Sequence, residues 1–177
     1  MSTISGRMAH FAITVIALGL LSCNNKAANP PGGDTSPNGD VTSHTSCKGG
    51  SLASATIAIP NNQDCIEYSY DGQSVLLLKH VNAGFNCCPD SLTADFQIAS
   101  GEIIIDEAEF LTNHGCSCLC LFDLEFQISN LPPGLYHIRV NEKYLQSGAN
   151  LLAFTLNLKA GISGDFCVTR DFYPWGE

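Results

Sequence analysis

The sequence predicts an all-β fold: an antiparallel β-sandwich of about nine strands that is stabilised by disulfide bonds. Short runs alternate apolar and polar residues, which is typical of strands with one buried face. Turn signals separate these runs at intervals of roughly 8 to 12 residues. Eight cysteines besides Cys23 follow an export signal, and no segment carries an apolar 3.6-residue repeat of helical length.

The N-terminal residues have the order of a secretory signal. Arg7 precedes an apolar run of 11 residues, Phe11 to Leu21, which is too short to span a bilayer. The run ends in Leu20-Leu21-Ser22-Cys23, which resembles the bacterial lipobox, where a small residue precedes the cysteine that is acylated. The resemblance implies a lipoprotein signal peptide over residues 1–22 and lipidation of Cys23. An ordinary signal peptide with a chance cysteine is the alternative.

The resemblance to such lipoproteins also bears on location and on the membrane as a partner. Asn24 after the acylated cysteine implies the outer membrane of a bacterial cell envelope, reached through the N-terminal lipid. Residues 24–46 are rich in Pro, Gly, Asn and Ser and cannot bury enough apolar surface to offset their ordering entropy. We expect a flexible tether over residues 23–46 and the β-sandwich domain over residues 47–177.

The charge balance excludes one class of partner. Residues 23–177 contain 7 Lys and Arg against 17 Asp and Glu, a net charge of −10 with neutral histidines. An acidic domain has no electrostatic attraction for nucleic acid or for anionic lipid surfaces. We therefore expect no nucleic-acid partner.

Two hairpins are predicted in the first half of the domain. Asp71-Gly72 and Ser100-Gly101 supply their turns. The strands predicted up to this point are Ser54 to Ile59, Cys65 to Tyr70, Ser74 to Val81, Leu92 to Ala99, and Glu102 to Phe110.

A long strand, Leu119 to Ile128, follows. Every even position from Cys116 to Ile128 is a cysteine or an apolar residue, so the cysteines at 116, 118 and 120 are expected to share the buried face. The last predicted strands are Leu135 to Val140, Leu152 to Leu158, and Asp165 to Arg170. The segment Leu131 to Val140 resembles the strand entry of immunoglobulin-like and transthyretin-like β-sandwiches, a resemblance of fold only.

The cysteines are expected to pair as disulfides because the chain is exported. Same-face neighbours on a strand are about 6.6 Å apart in Cα, so the three cysteines of the long strand should not pair with one another. A bridge from the Cys87-Cys88 pair would close a loop of about 30 residues. Sequence alone leaves the pairing open among Cys47, Cys65, Cys87, Cys88, Cys116, Cys118, Cys120 and Cys167.

A thiolate metal site is the main alternative for these cysteines, and a redox-active thiol is another. Thiolates suit Zn²⁺ or Cu(I), but the spacing differs from the C-x₂₋₄-C pairs of structural zinc sites. We therefore predict no cofactor. The candidate ligands of the alternative are Cys87, Cys88, Cys116, Cys118 and Cys120, with His80 or His114.

No catalytic motif is present. The sequence lacks an esterase elbow, a His-Glu-x-x-His motif and a phosphate-binding glycine loop. We interpret His80, His114 and His137 as isolated surface or strand-face residues. We interpret the acidic run around Asp106, Glu107 and Glu109 as the solvated side of an edge strand rather than part of a glycosidase pair or a calcium site.

The C-terminal tail contains the only tryptophan. Tyr173 and Trp175 could offer a stacking surface for a sugar or peptide, or could pack over one end of the sandwich. Five motifs together resemble a family of small bacterial lipoproteins without an assigned activity, over about Lys79 to Gly176. They are Cys87-Cys88-Pro89, Cys118-x-Cys120, Gly134-x-Tyr136, Phe166-Cys167-Val168-x-Arg170 and Tyr173-Pro174-Trp175.

We expect a non-enzymatic binding or structural module of the cell envelope, with a protein or glycan as its ligand. The first alternative is a thiolate protein that binds Zn or Cu. The second is an accessory protein that binds or acts on glycans. Each assigns a different role to the cysteines and the aromatic tail.

Overall fold

The computed structural model describes residues 35–48, 59–172 and 174. These described ranges belong to a compact unit, Asp34–Glu177. The signal peptide, Cys23, Tyr173 and Trp175 lie outside them, and so does the predicted strand from Ser54 except for Ile59, which is not in a strand. Within the described ranges no helix has the length and apolar character needed to cross a membrane.

Nine strands and one short 3₁₀-helix, Thr112–His114, make up the regular structure of the described residues. The strands are β1 (Asn38–His44), β2 (Gln63–Tyr70), β3 (Leu76–Asn86), β4 (Ser91–Ala99), β5 (Glu102–Phe110), β6 (Leu119–Ser129), β7 (Gly134–Asn141), β8 (Leu152–Leu158) and β9 (Ile162–Thr169).

The strands form two sheets, which confirms the predicted β-sandwich. The five-stranded sheet has the order β1-β6-β3-β2-β9 and the four-stranded sheet the order β4-β5-β7-β8. Every strand pair is antiparallel except β5 and β7, which are parallel. The parallel pair arises because β6 lies in the other sheet and returns the chain between them.

The predicted hairpins and the last three strands are confirmed, although β3 begins at Leu76 rather than Ser74 and β9 at Ile162 rather than Asp165. Residues 71–75 join β2 to β3, and Ser100 and Gly101 join β4 to β5. The prediction ended β3 at Val81, but the strand continues to Asn86. It does so through a bulge at Asn82, whose φ of 71° breaks the register with β6 for one residue.

The prediction of a flexible tether up to residue 46 is wrong for β1. This strand pairs with β6 from Asn38 to His44. Its backbone hydrogen bonds do not depend on apolar composition, and Val41 also packs against the core. Gly39 lies so close to the Phe96 ring of β4 that a Cβ atom would overlap it. The polar N-terminal segment is thus partly an edge strand of the folded domain.

The core lies between the two sheets. Its largest fully buried side chains come from both layers and include Phe85 and Phe126 from one sheet and Ile103, Ile105 and Ile138 from the other. Phe96 meets Phe126 edge to face, with the ring centroids 5.8 Å apart. The alternating burial predicted from the period-2 pattern is therefore observed on both sheets.

Gly39→Ala tests whether β1 belongs to the folded domain. The added methyl group must displace the Phe96 ring, so we expect a loss of about 1–3 kcal/mol in the free energy of unfolding. Denaturant unfolding measures it. Asp40→Ala, at the exposed neighbouring position, should change stability by less than about 0.5 kcal/mol. Adding Phe96→Leu to Gly39→Ala should restore part of the loss; equal stability of Gly39→Ala and the parent would show that β1 is not packed there.

Candidate functional site

The eight cysteines from Cys47 to Cys167 form four disulfides, which confirms the predicted oxidised state. The pairs are Cys47–Cys120, Cys65–Cys167, Cys87–Cys118 and Cys88–Cys116, with Cα–Cα distances of 5.7, 4.1, 5.7 and 5.6 Å. As expected, the cysteines at 116, 118 and 120 do not pair with one another. The adjacent Cys87 and Cys88 supply two partners, over sequence separations of 31 and 28 residues.

The expectation that all three of these cysteines lie on a buried strand face is wrong. Strand β6 begins at Leu119, and of the three only Cys120 is buried. Cys116 and Cys118 lie in the exposed loop after the 3₁₀-helix. This loop is not paired in a sheet, so alternate residues there do not face a core. Since each sulfur is bonded to another sulfur, these residues do not offer the thiolates that the metal alternative requires.

Asn86 organises the loop that carries the two neighbouring disulfides. Its side-chain oxygen accepts hydrogen bonds from the backbone N–H groups of Cys88 and Cys116, both at 3.0 Å. Its side-chain nitrogen donates to the carbonyl of Cys116 at 2.7 Å. One buried amide thereby brings both ends of the Cys88–Cys116 disulfide together.

Five ionisable side chains form a buried charge cluster between the sheets. At its centre, the two ring nitrogens of His80 on β3 donate to Asp64 on β2 and to Glu107 on β5, each at 2.6 Å. The side chains of His80 and Asp64 are fully buried and that of Glu107 is 1% exposed. The cluster therefore connects the five-stranded sheet to the four-stranded one. Its members are Asp64, His80, Glu107, Glu142 and Arg170.

Arg170 closes the cluster from the end of β9. Its Nε donates to Asp64 at 2.8 Å, and its Nη2 contacts both Asp64 and Glu142, the latter at 2.5 Å. Its Nη1 donates to the backbone carbonyl of Asn150. The side chains of Arg170 and Glu142 are each only 2% exposed. The guanidinium therefore donates its hydrogen bonds to acceptors inside the protein, as a buried cation requires.

The pKa directions describe an electrically balanced cluster. Burial alone would lower the pKa of His80, but the carboxylates of Glu107 and Asp64 raise it well above 6.5. Burial alone would raise the pKa of Asp64, but His80 and Arg170 bring it below 3.8. Burial and the charge of Asp64 raise the pKa of Glu142 to about 9. At neutral pH two cations thus face two carboxylates and a protonated Glu142.

The charge cluster contains side chains of the kinds that bind metal ions. Single ligand atoms of Asp64, His80 and Glu142 lie within 4.8 Å of one another. Arg170, however, already places a positive charge against both Asp64 and Glu142. Glu142 Oε1 has no hydrogen-bond partner among the described residues, but Glu142 Oε2 is already bound by Arg170. We therefore assign the cluster to the scaffold.

Two interpretations of isolated residues are wrong. His80 is not isolated: it is the centre of the charge cluster. Glu107 is not solvated, because β5 lies inside its sheet between β4 and β7 and the residue is 7% exposed. The side chain of Glu109 is also buried, where it accepts the backbone N–H of Asn86 at 2.8 Å. Asp106 accepts a hydrogen bond from Gln97 at 2.9 Å.

The alternation in the sequence does contain a signal for this cluster. Glu107 shares its parity with Ile103 and Ile105, which are fully buried. His80 likewise shares its parity with Leu76 and Leu78. In contrast, His114 and His137 are exposed, as predicted.

A polar surface cleft lies next to the charge cluster. We call it the end cleft; it has a volume of about 210 Å³ and is lined by Gln146 to Asn150 and by Thr169 to Phe172. Arg170 belongs to both, since it lines the cleft and contacts Asp64 below it. Phe172, at the cleft, is 55% exposed. The end cleft thus combines amide and hydroxyl groups with an exposed aromatic ring.

These features define the class of protein: an all-β sandwich with four disulfides and an internal charge cluster. Comparison with known proteins adds nothing more specific, because no family model, no curated protein and no solved structure matches this chain.

Glu142→Gln tests the protonation state of the cluster through stability. In the folded protein Glu142 keeps its proton up to a pH of about 9, whereas the unfolded chain releases it near its ordinary pKa of 4.5. The folded state therefore binds more protons between these values, so the free energy of unfolding falls as pH rises, by up to about 1.4 kcal/mol per pH unit. His80, with its raised pKa, adds to this slope.

Denaturant unfolding between pH 5 and pH 9 measures this slope. Glu142→Gln should flatten it because glutamine does not titrate, while Glu67→Gln, on the exposed side of β2, should leave it unchanged. A parent protein whose stability is constant or rises over this pH range would contradict a protonated Glu142.

Proposed function

We propose that the protein is a lipid-anchored, extracytoplasmic module of a bacterial cell envelope that binds a partner without catalysing a reaction. The four disulfides are the observation that carries the proposal, because disulfides form and persist in oxidising compartments outside the cytosol. The apolar leader that ends in Cys23 supports the same location. Asn24 points to the outer membrane.

The charged groups of the interior support a static role. Catalytic acids and bases need access to a substrate, whereas His80, Asp64 and Glu107 are buried and bonded to one another. The cysteines are likewise bonded in pairs. These side chains therefore serve a rigid scaffold, and the exposed loops are left to make contacts with a partner.

The end cleft supports a glycan as the ligand. Sugars are bound by hydrogen bonds from amides, hydroxyls and carboxylates together with stacking on an aromatic ring. The end cleft offers Gln146, Asn150 and Asp171 as polar groups and Phe172 as the ring. Trp175 follows three residues further along the chain, outside the described residues.

Cys23→Ala tests the anchor. We expect the parent to sediment with membranes and to be released by detergent but not by high salt, because acyl chains hold it by hydrophobic transfer of about 0.8 kcal/mol per buried CH₂. Cys23→Ala should appear in the soluble fraction. Ser22→Ala keeps a small residue before the cysteine and should stay with the membranes. A Cys23→Ala protein that remains bound to membranes would rule out the lipid anchor.

Phe172→Ala tests the end cleft on an array of envelope and host glycans. Loss of a stacking ring should weaken binding about tenfold, the equivalent of 1.4 kcal/mol. Phe110→Ala removes another exposed phenylalanine, 64% exposed, which does not line the end cleft and should leave binding unchanged. If both variants bind as the parent does, or if the parent binds no glycan, the end cleft is not a glycan site.

A further inference from the structure

A second polar cluster lies between the segment just after β1 and the bulge of β3, and neither the charge cluster nor the end cleft includes it. It consists of Lys48, Asn82 and Asp123. The Nζ of Lys48 donates to the side-chain oxygen of Asn82 at 2.9 Å and forms an ion pair with Asp123. We propose that Lys48 and Asn82 become joined by an intramolecular amide bond, with Asp123 as the base.

The backbone holds the two reacting groups together. Lys48 is bridged to Leu121 on β6, to which its N–H donates at 2.8 Å, and the preceding Cys47 is bonded to Cys120. Asn82 forms the bulge of β3, opposite the same part of β6. Holding an amine against its target in this way replaces a slow bimolecular step by an intramolecular one, with effective concentrations on the order of 10⁵ M or more.

The carboxamide of Asn82 is fixed and shielded. Its nitrogen donates to the backbone carbonyls of Pro60 at 3.1 Å and Gln63 at 2.7 Å, so its oxygen is turned toward Lys48. Asn82 is 1% exposed. The carboxamide is therefore held in one orientation with its oxygen against the amine, and bulk water has little access to it.

Asp123 is in position to carry a proton. It contacts Lys48 Nζ and also accepts the backbone N–H of Asn82 at 3.1 Å. Its side chain is 13% exposed and that of Lys48 is 28% exposed. Lys79 also approaches Asp123, at 3.9 Å. Asp123 thus lies beside both the nucleophile and the residue that is attacked.

The reaction balances without an oxidant or a cofactor. Asp123 takes one proton from the Lys48 ammonium, and the neutral amine attacks Cγ of Asn82. The Nζ–Cγ bond forms, a second proton passes from Nζ to Nδ2, and the Cγ–Nδ2 bond breaks. Ammonia leaves together with the proton held by Asp123, as ammonium. The product is a secondary amide between residues 48 and 82.

The bond would have a role that the disulfides cannot fill. It would join β3 to Lys48, the residue after Cys47 of the Cys47–Cys120 disulfide. Unlike that disulfide, it would survive reduction. Its significance as a clamp near a membrane anchor rests on the proposed function. Its existence does not, because the chemistry depends only on the folded domain.

Peptide mapping of the full chain, purified from cells, tests the bond. After reduction, alkylation and trypsin digestion, we expect no cleavage after Lys48 and one joined peptide that contains both residues. Its mass should equal that of residues 27–79, uncleaved at Lys48, plus that of residues 80–139, less one ammonia. Cyclisation of Asn82 alone would also lose ammonia but would leave the peptides separate, so only the joined peptide supports the proposal.

Three variants separate the roles. Lys48→Arg and Asp123→Asn should each abolish the joined peptide, while Lys79→Arg should retain it, although Lys79 also approaches Asp123. The intact mass without reductant verifies the four disulfides in each variant. Separate, unmodified peptides from the parent protein overturn the proposal whatever the variants do. A joined peptide in Lys48→Arg would overturn it as well. Loss of membrane attachment in Cys23→Ala would leave this result unaffected.

Discussion

The contact between His80 and Glu107 constrains how the two sheets meet. His80 belongs to the five-stranded sheet and Glu107 to the four-stranded one, and their side chains meet at 2.6 Å in the interior. Removing two such charges from water costs several kcal/mol each, and this cost is offset only while both stay paired. A shift of either strand by one residue would turn its charge to the outer face and leave the partner unpaired. The pair therefore specifies one register of β3 against β5.

The disulfides do not share this task, because none of the bonded cysteines lies in a strand of the four-stranded sheet. Cys65–Cys167 joins β2 to β9, and Cys47–Cys120 fixes the chain after β1 to β6, all within the five-stranded sheet. The Cys87–Cys118 and Cys88–Cys116 pairs connect the loop after β3 to the loop before β6. These two loops lead into β4 and out of β5, so the disulfides fix the ends of that hairpin but leave its strands to apolar packing and the charge cluster.

Much of the fold could be predicted because alternation is a local property. The strands from Cys65 onward follow from it. The oxidised state of the cysteines could be predicted because the sequence indicates export. The buried cluster could not be predicted as a unit, because Asp64, His80 and Arg170 are distant in sequence and meet only through the sheet order. The parity of Glu107 with Ile103 and Ile105 indicated burial, but its charge suggested solvent.

Burial was predicted wrongly where the apolar alternation continued beyond the end of a strand. Cys116 and Cys118 keep the parity of β6 but precede the strand, so their side chains are exposed. Strand β1 was missed because its sequence is polar; its order comes from the edge of β6, a partner 80 or more residues away. Composition predicts what a segment can bury, whereas an edge strand needs only a neighbour with free backbone groups.

If a lipid is attached at Cys23, β1 is the strand through which force from the membrane reaches the domain. A pull from the membrane would reach the β-sandwich first at β1. The antiparallel hydrogen bonds between β1 and β6 would then carry load before any covalent link does. Beyond them, Cys47–Cys120 is the first covalent stop. Strand β1, which buries little apolar surface, is therefore followed directly by a disulfide that keeps the chain attached to β6.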